Sequence, residues 1–314
     1  MPDPVERVAL GRTGLRITRL GLGCAPLANL YTASSDAEAR ATVGAAWDAG
    51  IRWFDTAPLY GHGLSERRLG EALRGRPRGE YVLASKVGRL LRPGVDPVSI
   101  FADVPPLRPE FDFSYDGALR SLEESLARLG LDRLDVVHVH DPDAHEAVAV
   151  AGAFRALCRM RDEKVIGAVG AGMNQSAMLT RFVERGLVDC VLVAGRYTLL
   201  DASAARDLLP AAERAGVAVI AAGVFNSGLL AAPREGATYD YAPASSALVA
   251  RARRLEAICT RFGVSLRAAA LQFPLRHPAV TCVLAGARSP DEVADAAAQL
   301  AAPLPAELWD ALSP

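Results

Sequence analysis

An α/β fold of the (β/α)8 class, eight parallel strands closed into a barrel with helices outside, is what this sequence predicts. Two observations carry that expectation and a third removes its main competitor. Short runs rich in Val, Ile and Leu alternate with longer Ala-rich amphipathic stretches, and continuous rather than alternating hydrophobicity suits strands covered on both faces. Eight such runs lie at 18–23, 51–55, 81–85, 134–139, 165–170, 188–193, 217–222 and 280–285; eight strand–helix units in a row point to a barrel. An open doubly wound sheet wants a Gly-x-Gly-x-x-Gly turn after its first strand, and none follows there.

Helix-like stretches span 36–48, 115–129, 144–161, 177–184, 204–215 and 290–300. Gly50, Gly130, Gly186 and Gly216 stand where left-handed C-terminal caps are expected. Ahead of the first strand, 8–17 carries Gly11-Arg12-Thr13-Gly14 between short apolar runs and reads as a β-hairpin. Five prolines and few helix formers mark 89–113 as a long excursion after the third strand. Loops of that length at this barrel face usually shape a pocket or lid, a disordered connector being the alternative. A second excursion, 225–245, follows the seventh strand, and a helical pair at 246–262 and 266–275 delays the eighth. No repeat or linker interrupts the pattern, so 1–314 reads as a single domain.

Composition narrows the function. Apolar residues make up 51%, enough for an extensive core, and a net charge of −1 gives no electrostatic reason to expect nucleic acid or an anionic membrane. No apolar run approaches the ~18 residues of a membrane helix, and charges break up the N-terminus where a signal peptide would be apolar. Five scattered cysteines (24, 158, 190, 259 and 282) form no Cys-x-x-Cys pair and read as reduced core thiols, with no disulfide framework or metal site expected. A cytoplasmic protein acting on a small molecule, monomeric or a small homo-oligomer, is the expectation.

Active sites in such barrels sit at the C-terminal ends of the strands. Asp55 ends the second strand, Tyr60 lies in the loop beyond it, Lys86 ends the third and His140 the fourth. All four therefore converge on one mouth. A free phenol has a pKa of ~10, too high for a base near neutrality, and a neighbouring ammonium depresses it. Lys86 is the candidate ammonium, and Asp55 would keep it charged and aimed. Tyr60 is then the general base when an alcohol is oxidised and the general acid when a carbonyl is reduced, with His140 orienting the same oxygen. His138 shares the strand and its facing, and reads as a hydrogen-bonded interior side chain.

The run Trp53-Phe54-Asp55-Thr56-Ala57-Pro58-Leu59-Tyr60-Gly61, with Glu66-Arg67-Arg68-Leu69-Gly70, closely resembles the aldo-keto reductase signature. The resemblance extends along essentially the whole chain. It implies a TIM barrel whose floor is closed by the hairpin, and it selects His140, which stands directly before x-Pro, over His138. It also implies a nicotinamide cofactor. Asn174 is placed to bind its carboxamide and Tyr197 to stack on its ring. Phe225, Asn226, Ser227 and Gly228 follow the seventh strand and suit a pyrophosphate, while Gly286, Ala287 and Arg288 lead into a helix whose N-terminus favours an anion. Two departures stand out. Val193-Ala194-Gly195 replaces a strand-six Gln common in the family, and Gly286-Ala287 with Glu292 replaces the Lys-Ser and Arg of many NADP-dependent members. An acidic Glu292 suits a ribose diol and leans toward NAD; Arg288 argues for NADP.

Phe111-Asp112-Phe113-Ser114-Tyr115, the run 120–126 and Gly195-Arg196-Tyr197 look most like the bacterial D-threo-aldose 1-dehydrogenase (L-fucose dehydrogenase) branch. Plant L-galactose dehydrogenase and some pyridoxal dehydrogenases are similar. The resemblance implies oxidation of the C1 hydroxyl of an aldose such as L-fucose, L-galactose or D-arabinose to the lactone, or the pyridoxal or general aldehyde chemistry of related members. Trp53, Leu59, His62, Arg89 and the 89–113 segment are expected to line the substrate pocket, although His62 reads more readily as a loop-surface residue. Two other classes stay open. A strand-end Lys86 also suits a Schiff-base aldolase, and some family relatives are nucleotide-sensing regulatory subunits.

Overall fold

The eight apolar runs close into a barrel whose first strand pairs with its last. A computed structural model of the chain describes residues 2–312. Strands β1 (Arg7–Ala9) and β2 (Arg16–Thr18) form the antiparallel hairpin that precedes it. The parallel barrel is then built from β3 (Leu20–Gly23), β4 (Trp53–Asp55) and β5 (Val82–Val87), and, after the excursion strands β6 (Arg89–Pro93) and β7 (Leu107–Phe111), from β8 (Val136–His140), β9 (Ala168–Met173), β10 (Cys190–Ala194) and β11 (Ala218–Ala222). A short pair, β12 (Thr238–Tyr239) and β13 (Ala242–Pro243), precedes the closing strand β14 (Val280–Gly286). Helices α1 (Asp36–Asp48), α2 (Leu64–Leu73), α3 (Tyr115–Leu129), α4 (Glu146–Ala151), α5 (Ala153–Asp162), α6 (Ser176–Glu184) and α7 (Leu208–Ala215) follow in order. Then come α8 (Ser246–Arg261), α9 (Leu266–Gln272), α10 (Pro290–Ala301) and α11 (Glu307–Leu312).

Strand parity divides the core in two. Outward-facing residues such as Phe54, Leu83, Val137 and Val169 pack against the helices. Inward-facing Trp53, Val82, Val136, Cys190, Ile220 and Leu284 fill the barrel, joined from below by Leu10 and Ile17 of the hairpin. The hairpin thus plugs the floor, as the resemblance implied. Gly50, Gly130, Gly186 and Gly216 all adopt positive φ at helix ends.

Three expectations change. The fifth strand lies three residues later than read, because 165–167 form a turn: Val165 N–H returns to Met160 O and the side chain is half exposed. The 144–161 helix breaks at Gly152, where any Cβ would lie 2.4 Å from Phe113 O. The 89–113 excursion is no disordered connector, since its arms pair antiparallel from Arg89↔Phe111 to Pro93↔Leu107.

The signature run 66–70 also acquires a structural account. Glu66 is fully buried, accepts from Ser85 Oγ at 2.7 Å and from Arg128 Nε at 2.6 Å, and so ties α2 to β5 and α3. Arg68 donates to Asn29 Oδ1, Ser34 O and Asp36 Oδ1, pinning the loop after β3. At Gly70 a Cβ would sit 2.0 Å from Leu129 O. Gly70→Ala is therefore expected to force α2 off α3 and destabilise the fold by about 1–3 kcal/mol, read as a thermal midpoint several degrees lower. An unchanged midpoint would show that the two helices separate freely.

Candidate active site

Strand β4 ends on Asp55 and β5 runs beside it, with Asp55 opposite Ala84. Lys86, two residues further on and facing the same way, comes alongside Asp55 at the barrel mouth. Its Nζ donates to Asp55 Oδ1 at 2.5 Å and to Thr56 O at 2.8 Å, and each residue is only 1% exposed. The same Nζ lies 4.7 Å from the centre of the Tyr60 ring. Tyr60 meets the His140 imidazole edge-on, centroids 5.8 Å apart at 90°. The loop that carries Tyr60 turns sharply through Gly61, His62 and Gly63, all with positive φ. Gly61 is required there, because a Cβ would lie 2.6 Å from Ala28 Cβ.

Burial dominates the electrostatics. It pushes the Asp55 carboxyl up, opposed by Lys86. It holds His140 well below the usual imidazole value, reinforced by Arg89, so that the ring is neutral. The Tyr60 phenol is pushed well above its ordinary range, first by burial and then by the Asp55 and Asp141 carboxylates, with Arg89 pulling the other way. This corrects the expectation of a phenol depressed by Lys86. That ammonium is held at contact by Asp55, whose carboxylate pushes the phenol the other way, and burial outweighs what the ammonium does. The phenol is neutral near pH 7 and placed as an acid.

His138 is interior, as expected, but not hydrogen-bonded. Neither ring nitrogen finds a partner among the described residues, and Nε2 stops 3.8 Å from Asp55 Oδ2. Its ring lies against Gly170, where a Cβ would approach Nδ1 to 2.1 Å. Burial holds it neutral, with a pKa lowered to about 3.

From Asp55 and Tyr60 a cavity of about 830 Å³ runs across the mouth to the start of α10, within the range of small-molecule sites. Leu192, Ala194, Ala222 and Leu284 line it where the strands end. Of the residues expected at a cofactor, Asn174, Phe225, Asn226, Ser227, Gly228, Gly286, Arg288 and Glu292 line this cavity; Ala287 is buried behind it. Asn226 Nδ2 donates to Gly195 O at 3.3 Å, while its buried Oδ1 has no partner among the described residues and offers an acceptor to a hydroxyl or amide donor. A wall of small residues, this acceptor and a helix N-terminus fit a dinucleotide. At the far end Arg288 N–H donates to Glu292 Oε2 at 2.9 Å and its guanidinium lies 3.7 Å from Oε1.

Tyr197 is not in the cavity. It packs into the outer core against Phe273, centroids 5.1 Å apart, because the loop after β10 turns its ring outward. The substrate-pocket residues also need correction. Trp53 is fully buried in the barrel interior, one rung below Asp55, and Leu59 is absent from the cavity lining. His62 is neither on the surface nor in the cavity: it is buried with Nε2 3.2 Å from Asp96 Oδ2 of the 89–113 excursion. Arg89 donates to His140 O at 3.0 Å and to Asp141 Oδ2 at 3.1 Å, so it braces the end of β8. Residues that sequence reasoning missed are Tyr31, Arg234, Asp240, Tyr241, Arg267, Asp291 and Asp295, all on the lining. Acidic residues at the start of α10 were the one available signal.

Residues 19–313 match the model of the aldo/keto reductase family. The chain is 45% identical to a D-threo-aldose 1-dehydrogenase from a Pseudomonas species, over 97% of this chain and 96% of that protein. It is 43% identical to a pyridoxal 4-dehydrogenase from Microbacterium luteolum, over 98% and 96% respectively. Among solved structures it is similar to the holo form of an aldo-keto reductase from Bacillus halodurans, with a TM-score of 0.78 at 25% identity, covering 98% of this chain and 95% of that one.

Proposed function

Because the chain belongs to the aldo/keto reductase family of NAD(P)-dependent oxidoreductases, we propose that it oxidises the C1 hydroxyl of an aldose to the lactone. Its setting would be cytoplasmic carbohydrate metabolism, where unpaired cysteines stay reduced. The observation that carries the chemistry is the buried Asp55–Lys86 pair lying under Tyr60 at an open mouth. The likeness to the aldose dehydrogenase supports the substrate class.

Nicotinamide, when bound, supplies the hydride acceptor. Asn226, Ser227 and the start of α10 would hold its dinucleotide, with Asn174 near the ring. Tyr60, once ionised, takes the proton of the C1 hydroxyl on oxidation, and as the neutral phenol gives one to a carbonyl on reduction. Neutral His140 directs that oxygen toward the phenol. Lys86 does not serve as a Schiff-base nucleophile in this reading, since its Nζ is committed to Asp55 and to Thr56 O. The test is formation of reduced nucleotide with L-fucose, L-galactose and D-arabinose. The pyridoxal dehydrogenase relative, nearly as similar, favours a second reading, and pyridoxal belongs in the same panel. No turnover of any aldose, with brisk turnover of pyridoxal, would replace the first reading by the second.

For the cofactor we infer NAD. Glu292 caps the α10 entrance and pairs with Arg288, so a 2′-phosphate would have to break that pair and approach Asp291 as well. Solvent exposure of both side chains screens the repulsion, and a residual ~1.4 kcal/mol corresponds to about tenfold preference. Glu292→Gln is expected to narrow the NAD/NADP ratio of kcat/KM several-fold, and Arg288→Ala to weaken NADP further. A wild type favouring NADP, or a ratio indifferent to Glu292, would contradict this assignment.

A further inference from the structure

The second excursion folds back over the mouth on a turn of two residues. Tyr239 pairs with Ala242, which leaves Asp240 and Tyr241 between β12 and β13. Both have positive φ, 49° and 64°, the geometry of a hairpin turn that favours Asn-Gly. A tyrosine is an unfavourable choice there, because its Cβ crowds the backbone in the left-handed region. Residues held in such conformations concentrate at functional sites.

Asp240 has a structural use. Its carboxylate accepts from both terminal nitrogens of Arg196, at 3.1 and 2.7 Å, and fastens the turn to the loop after β10. The turn is further held by Thr238 Oγ1 donating to Ser227 O at 2.7 Å. Tyr241 contributes to this only through its backbone N–H, which donates to Ser227 Oγ at 3.2 Å and would do so with any side chain. The Tyr241 side chain joins none of the hydrophobic clusters of the described residues. Although 51% exposed, it lines the cavity together with Tyr31, Asp55 and Tyr60. Its phenol is pushed up by burial and then by Tyr60, Asp141 and Tyr31, in keeping with its place on the cavity lining.

We propose that Tyr241 is a specificity-determining residue, carried on a strained turn above Tyr60 so that its ring face covers the C–H face of a pyranose and its phenol meets a ring hydroxyl. The chemistry suits a cyclic polyol. An aromatic face provides apolar contact for the axial hydrogens, and a phenol both donates and accepts. A small open-chain aldehyde reaches Tyr60 without needing either contact. The proposal rests on the aldose reading above.

The experiment compares wild type with Tyr241→Gly and Tyr241→Phe, measuring thermal midpoint and kcat/KM for L-fucose oxidation and methylglyoxal reduction. Tyr241→Gly is expected to melt at the wild-type temperature or above, since glycine relaxes the turn. Its fucose-to-methylglyoxal selectivity ratio is expected to fall at least tenfold, mainly through KM for the sugar. Tyr241→Phe keeps the ring and is expected to lose less. A structural turn residue would behave oppositely, with a lower midpoint and both substrates affected in proportion; that result, or an unchanged ratio, overturns the proposal. A wild type inert toward fucose and the other aldoses sinks the aldose reading and this proposal together. A wild type active on them, with an unchanged ratio in the variants, sinks this proposal alone.

Discussion

Tyr60→Phe is expected to abolish turnover, with kcat falling by at least the ~10²–10⁴ that a positioned acid–base group contributes, while nucleotide affinity stays within a few-fold of wild type. Phenylalanine preserves what the ring does structurally. The edge-on contact with His140 and the 6.2 Å approach to Phe101 need no hydroxyl. Only the transferable proton is lost, so kcat and kcat/KM should fall together. Steady-state rates alongside a fluorescence titration of the nucleotide check both halves. Near-wild-type turnover would remove Tyr60 from its assigned role.

Lys86→Met carries two large effects. Removing one partner of a buried ion pair commonly costs about 3–5 kcal/mol. Here Asp55, already pushed up by burial, can escape part of that by taking a proton. The second effect is on the pH profile. The Tyr60 phenol titrates above its ordinary value, so oxidation rises with pH as the phenol ionises. A cation lowers an acid's pKa, and Lys86 Nζ lies 4.7 Å from the ring, so deleting it moves that limb to still higher pH. A limb that stays still in an active variant would assign control of the phenol to Arg89, the cation that pulls it down in the intact site. Borohydride with a carbonyl substrate is expected to leave Lys86 unmodified, and trapping would revive the aldolase reading.

What was legible in the sequence follows from the range of each signal. Strand runs and helix caps are local, so the barrel and its four glycine-ended helices could be read directly. The Asp55–Tyr60–Lys86–His140 convergence follows from strand ends and the loop beyond one of them, with the resemblance choosing His140 over His138. Depth within the barrel is not local: parity puts Trp53 and Asp55 on the same inner face, but only the closed structure shows Trp53 a rung below the mouth. Tyr197 was assigned by resemblance, and the turn after β10 sends its ring the other way. His62 and Arg89 look like pocket residues because they are polar and near the motif, yet His62 is buried beside Asp96 and Arg89 pairs with Asp141, carboxylates distant in sequence. Tyr241 had no signal at all. Its placement depends on a fold-back pinned by Arg196, far upstream, and its residue type argues against the turn it occupies.

The pairing of β3 with β14 has a consequence for how the molecule is made. Val283 lies opposite Leu20, so nearly the whole chain must leave the ribosome before the first barrel strand gains its second neighbour. At ordinary translation rates that interval is on the order of tens of seconds, during which β3 is an open template for any stray strand. Its four residues leave little length to recruit one. A short first strand thus limits stray pairing while the closing strand is still being made.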